Sequence, residues 1–381
     1  MKPPTDYFKF SKSVLNFFGI NLECTRTSVY YKIYSVSLIV ILIIWYGFLE
    51  VYEAVHNFSD IDAFVRVVSF LATDLLGLIK LFILIYYRKE ICEMLNSFET
   101  GFFLPDFNRG GNYEVEILNK YVSYSNYQTY IYQVLCLTVI LSGMCGTLLE
   151  RILNSNNSQN WTMPFLSFSL FPIDRSPNYE IAWFMQSILR IIFSGIVSAL
   201  DTLLGAILAH ITAQCLLLQN AIRRINSHEN NSLKNIIHYH WEILKLAKKF
   251  DRFFSYLLLS EFFGTLGILC FTMYHASLSD LLSRKAAQDF SYVSTISMQI
   301  FLCCYWGNEV ARQSEAMALS CTEADFVGAD LQFQKDLVFL IRNCQKPIVL
   351  TAGNFTELSL KTFVWILRAS YSYYMVLRSN N

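Results

Sequence analysis

Lys361, Arg368, Ser372 and Ser379 recur 7, 4 and 7 residues apart in a largely apolar stretch near the C-terminal end. That spacing puts all four on one face of a helix. Charged and hydroxyl groups on a helix in lipid must face protein or water. Two arrangements meet that need. Several copies around a symmetry axis would line an aqueous pore, or one helix would lie buried in its own bundle. Spacing alone leaves both open. Further charges sit inside apolar runs: Arg66, Asp74, Lys80, Arg190, Asp201 and Glu261. Such groups are functional candidates by default. The plainer reading is pairing inside a helix bundle, and several lie close enough to a span end to reach water by extending outwards.

Other chemistry finds no support. His238 and His240 alternate, so on a helix they point about 200° apart, and no Cys or carboxylate cluster completes a metal site. No P-loop, nucleophile elbow, zinc-protease or dinucleotide motif is present. Neither an enzyme nor a cofactor is expected. Asp251-Arg252-Phe253 resembles the short acidic-Arg motif of rhodopsin-like receptors, but it precedes the fifth apolar run rather than ending the third. A membrane-interface charge pair is the preferred reading.

The elements that would carry these residues are membrane helices. Of 381 residues, 54% are hydrophobic and 16% charged, against about 45–50% and about 25% in soluble domains. Net charge is zero, so no bulk field favours nucleic acid. Seven runs are long enough to cross a roughly 30 Å hydrocarbon core: 33–53, 64–87, 127–150, 181–205, 255–277, 290–310 and 358–378. The fourth continues as an apolar pattern to about residue 220, giving a helix of about 60 Å that projects from the membrane. The expected fold is an all-α membrane protein of seven transmembrane helices with helical cytoplasmic extensions.

Lys and Arg set the orientation. Twenty lie in the N-terminal segment and the second–third, fourth–fifth and sixth–seventh loops, against five on the other side. The N-terminus is therefore expected in the cytoplasm and the C-terminus outside. Asn57, Asn156 and Asn160 head glycosylation sequons on the outer side. Two further sequons, at Asn230 and Asn354, fall on the inner side. The three outer loops hold no cysteine, so no disulfide is expected there. The N-terminal segment lacks the apolar core of a cleavable signal, so the first span is expected to serve as membrane entry.

Several segments resemble the insect odorant receptor family, and together they cover most of the chain from about residue 165. They are FPIDRSPNYEIAWFMQSI at 171–188, DTLLGAILAHITAQ at 201–214, HYHWEILKLAKKFDRFFS at 238–255, and the Cys303, Cys304, Gly307 and Ser314 region. The most specific is TAGNFTELSLKTFVWILRASYSYYMVL at 351–377. The Thr-Tyr and Gln-containing ending of the related gustatory receptors is absent.

The resemblance implies a subunit of a tetrameric, ligand-gated, non-selective cation channel in the plasma membrane of olfactory sensory neurons. Residues 1–310 would hold the first six helices with an odorant pocket in their outer half. Residues 311–356 would form a cytoplasmic anchor, and 357–381 the pore-lining helix. The short fourth–fifth loop resembles that of an odour-tuned subunit, whose partners are the odorant co-receptor, a small volatile odorant and membrane lipid. The family's pocket implies Phe64, Val68 and Leu71; Leu141, Met144 and Leu148; Trp183, Phe184 and Ser187; and Tyr292 and Ile296 as ligand contacts. Along the pore, Ser372, Val376, Ser379 and Asn380 are implied, with Val376 at the constriction. Asn380 stands where the co-receptor has an apolar residue. The rival readings are a G-protein-coupled receptor and a gustatory-type homomeric channel.

Overall fold

The computed structural model describes every residue except 1–5, 23–27, 57–60, 107–108, 154–160, 166–174, 226–229, 279–283 and 380–381. The chain is built from helices: α1 (Lys9–Phe17), α2 (Val29–Ile43), α3 (Glu50–His56), α4 (Ile61–Tyr86), α5 (Arg88–Glu99), α6 (Asn112–Leu153), α7 (Asn178–Arg223), α8 (Asn230–Leu278), α9 (Arg284–Thr322), α10 (Leu331–Cys344) and α11 (Leu360–Ser379). A π-helical turn, Ile44–Leu49, joins α2 to α3 and turns both Trp45 and Tyr46 into the bundle.

Local chemistry sets several boundaries. Ser28 caps α2 by accepting from the Tyr31 N–H at 3.2 Å, and Asp330 caps α10 by accepting from Phe333 at 2.6 Å. Between α10 and α11, strands β1 (Thr351–Ala352) and β2 (Thr356–Glu357) form an antiparallel hairpin. Gly353 and Asn354 turn it in the left-handed region, with φ of 62° and 56°.

Among the described residues, five helical stretches are long and apolar enough to cross a membrane: Val29–His56, Val67–Tyr86, Asn112–Leu153, Asn178–Arg223 and Leu233–Ser277. They correspond to the first five predicted spans. The sixth and seventh form α9 and α11, which carry more polar residues and are not among the five. The chain is an all-α membrane protein.

The predicted long fourth helix is present as α7, 46 residues, or about 69 Å. Every residue from Ser198 to Cys215 is buried. A helix buried on all sides is the centre of its bundle, and α6, α8, α9 and α1 pack around it. Two features differ from the sequence reading. The second–third loop contains α5, which buries Ile91, Met94, Leu95 and Phe98. Helix α9 runs unbroken to Thr322, so the expected boundary at 310 falls inside one helix.

Candidate functional site

The charges inside the apolar runs assemble into two buried clusters. In the first, the two oxygens of Asp74 on α4 accept from Arg190 Nη1 at 2.7 and 2.9 Å. Glu50 accepts from Arg190 Nη2 at 3.0 Å. The guanidinium also lies 4.8 Å from the ring centres of both Tyr46 and Phe165. In the second, Lys80 on α4 meets Asp201 on α7 at 2.5 Å and Glu261 on α8. Tyr132 on α6 donates to Asp201 at 3.3 Å, and Gln299 on α9 donates to Glu261 at 3.4 Å. The plainer reading, pairing inside the bundle, therefore holds for Asp74, Lys80, Arg190, Asp201 and Glu261. The Arg66 side chain lies outside the described set.

A close helix approach makes this geometry possible. Asp74, Gly77 and Lys80 follow one another at three-residue steps on α4. A Cβ on Gly77 would come within 2.7 Å of Phe193 and 2.9 Å of Val197 on α7. Only glycine lets α4 sit this near, as small residues do between membrane helices. Each cluster then sets two carboxylates against one cation in a low-dielectric interior, where the attraction is strong and desolvation costly.

Between the clusters lies a cavity of about 90 Å³. That volume is well above the roughly 10–15 Å³ one water needs. Its walls come from α4, α6, α7 and α9: Phe70, Thr73 and Asp74; Tyr132, Cys136, Val139 and Ile140; Arg190, Phe193 and Val197; Tyr292, Thr295, Ile296 and Gln299. Phe165 closes one side. The cavity thus borders Asp74 and Arg190 of one cluster, and Tyr132 and Gln299, which bond to the other. Tyr292 is tied to α4 through the Thr73 hydroxyl and the Ser69 carbonyl.

Of the eleven sequence-derived contacts, Tyr292 and Ile296 line this cavity. Trp183 is buried and donates to Thr147 Oγ1 at 3.0 Å, tying α7 to α6. Ser187 is buried and its hydroxyl has no partner among the described residues. Val68, Leu71 and Met144 are half-buried, whereas Leu141, Leu148 and Phe184 are exposed. Phe64 lies on α4, but its side chain falls outside the described set. The wall residues on α4, α6 and α7 come one to two turns further along or back on the same helices. Their sequence signal was the polar intrusion of Thr73, Asp74 and Arg190 into apolar runs.

On α11, Thr362, Ile366 and Ser370 are buried against the bundle, and the Ser370 hydroxyl reaches the Leu266 carbonyl of α8 at 3.3 Å. Lys361, Arg368 and Ser372 are exposed, as is Val376 at 57%. The polar stripe therefore faces away from its own bundle. The Ser379 side chain and Asn380 lie outside the described residues, as do Asn57, Asn156 and Asn160. No group of three or more metal-ligating side chains occurs among the described residues.

Residues 60–371 match the family described as 7tm Odorant receptor. The chain belongs to this odorant receptor family. The receptor is similar to putative odorant receptor 92a of Drosophila melanogaster, 22% identical with 77% of this chain and 73% of the relative covered. It is also similar to odorant receptor 85c of the same fly, 24% identical with 84% and 83% covered. Its fold matches the insect olfactory receptor OR5 from Machilis hrabei, solved in complex with eugenol. The TM-score there is 0.86 at 15% identity, with 98% of each chain covered. This odorant receptor is a multi-pass membrane receptor and not an enzyme.

Proposed function

We propose that this odorant receptor is an odour-tuned subunit that binds a small volatile molecule in the cavity between α4, α6, α7 and α9. Binding would gate a non-selective cation channel formed with the odorant co-receptor as a heterotetramer. The cavity carries the reading. It is mostly apolar and joined to both charge clusters through its own wall, as suits a small ligand fixed by few polar groups. The Machilis hrabei receptor was solved with eugenol, which fits a small-ligand role.

Gating follows from differential affinity. A ligand that prefers the arrangement of the open channel shifts the population towards it, and only by that preference. Moving the balance from 1:99 to 99:1 needs about 5.5 kcal/mol across the sites. Cavity residues Tyr132 and Gln299 bond to Asp201 and Glu261. Glu261 sits on α8, and α8 carries α11. A ligand that repacks this wall has a physical route to the pore helix.

In this reading α11 lines the pore, Val376 forms its constriction, and Ser379 and Asn380 lie just outside. The N-terminus is cytoplasmic, and the site of action is the plasma membrane of olfactory sensory neurons. The outward polar face of α11 favours a channel over a G-protein-coupled receptor. Val139→Phe tests the cavity: an added ring should cut odour-evoked current at least about tenfold at normal surface expression. An unchanged dose response would remove the cavity from the mechanism. Currents from this chain expressed without the co-receptor would favour the gustatory-type homomeric alternative.

A further inference from the structure

We infer that Cys321 and Cys344 form a redox-modification site, a dithiol that hydrogen peroxide closes to a disulfide and cytosolic glutathione reopens, fastening α10 to the end of α9.

The two thiols are brought together from different elements. Cys321 is the penultimate residue of α9, and Cys344 is the last of α10. Their side chains hydrogen-bond to each other, Cys344 donating to Cys321. Both are free thiols. His240 on α8 joins them, its Nε2 3.9 Å from Cys344 Sγ. All three side chains are buried, the cysteines at 0% and 1% exposure, but the pair lies just beneath the surface. Thr322 and Glu323 follow Cys321; Gln345, Lys346 and Pro347 follow Cys344; and all five are exposed. Helix ends open locally with little free energy, which admits an oxidant as small as hydrogen peroxide.

The contact gives the two thiols different roles. The Cys344 S–H holds the Cys321 thiol below its ordinary pKa, and the thiolate is the form that reacts with peroxide. Cys321 sulfur attacks one peroxide oxygen, the O–O bond breaks, and a sulfenic acid forms. The departing hydroxide takes up the proton that Cys321 released and leaves as water. Cys344 then passes its proton to His240 Nε2 and attacks the Cys321 sulfur. The S–S bond forms, and the displaced hydroxide recovers that proton as a second water. The sum is two thiols and one hydrogen peroxide giving one disulfide and two waters. Two glutathione thiols reverse it and leave as glutathione disulfide. Four residues after Cys344, the Ile348 N–H donates to Ser314 Oγ of α9 at 2.8 Å. The disulfide therefore adds a second fastening to α9 on the segment that leads to α11.

The cytosolic setting rests on the proposed topology; the chemistry of the pair does not. The test uses the purified full-length chain, reduced, exposed to hydrogen peroxide, digested without reductant and read by mass spectrometry. A peptide linked through Cys321 and Cys344 should appear in most chains and disappear with dithiothreitol. The thermal midpoint should rise by a few degrees with the link, because it closes a loop. Cys344→Ala should show neither the linked peptide nor the peroxide-dependent rise. Where Cys344→Ala fails to fold, the wild-type chain alone decides. If both cysteines remain fully alkylatable after peroxide and denaturation, they are inert packing groups and the inference is overturned. A link from either one to Cys215, also buried near Cys344, overturns the pairing. Labelling of an N-terminal epitope reads the topology separately, so the two failures are distinguishable.

Discussion

Arg190 and Lys80 carry a heavy electrostatic burden, because each is, among the described residues, the one cation in a cluster with two buried carboxylates. Removing one partner of a buried pair strands charge, at a cost of about 3–5 kcal/mol. Lys80→Met should therefore lower the thermal midpoint of the purified receptor far more than Lys245→Met, whose exposed ammonium sits 3.5 Å from Glu242 and contributes about 0–1 kcal/mol. Equal midpoints would remove the second cluster from the stability account. Gly77 makes a separate demand. Valine there would push into Phe193 and Val197 and should cost about 1–3 kcal/mol, read as the same midpoint. These charges stood out in the sequence because they interrupt apolar runs. Which of them pair did not, since Asp74 with Arg190 and Lys80 with Glu261 meet across different helices, and no local period links them.

Helices α4, α6, α7 and α9 were legible as runs of apolar residues, and the same four form the cavity wall. The depth of the cavity along them was not. It depends on where Gly77 allows α4 to approach α7, which is a property of two helices at once. Helix α5 was hidden for another reason: its apolar positions Ile91, Met94, Leu95 and Phe98 form a short amphipathic stripe among charges, too brief to read as a span. The junction before α11 makes a sharp demand of its own. A Cβ on Gly307 of α9 would fall 2.4 Å from Leu358 Cβ and 2.7 Å from its carbonyl oxygen. Gly307→Ala should displace the start of α11 and change basal current, checked by recording without odour. The hairpin is held from below as well, since Asp251 accepts from the Thr351 N–H at 2.8 Å. Sequence suggested only an interfacial charge for Asp251; its actual partner lies a hundred residues away.

At the scale of the whole molecule, the outward face of α11 matters most. Lys361, Arg368 and Ser372 are exposed on it, and an open groove of about 410 Å³ flanks its start beside Phe262, Leu266 and Trp365. Water and partner subunits together would cover such a face, whereas lipid would leave its charges unsolvated. The proposed cytoplasmic N-terminus rests on the Lys and Arg asymmetry. An N-terminal epitope should stay unlabelled in intact cells and become labelled on permeabilisation. Labelling of intact cells would reverse the topology. The most direct test of the channel role is cysteine accessibility at Ser372, the exposed hydroxyl midway along the stripe. In cells expressing Ser372→Cys with the co-receptor, a charged thiol reagent applied during odour stimulation should block the current, while the parent chain, with its exposed Cys145, remains unaffected. An odour-evoked current that persists unchanged through complete modification of Cys at that position would contradict a pore lined by α11.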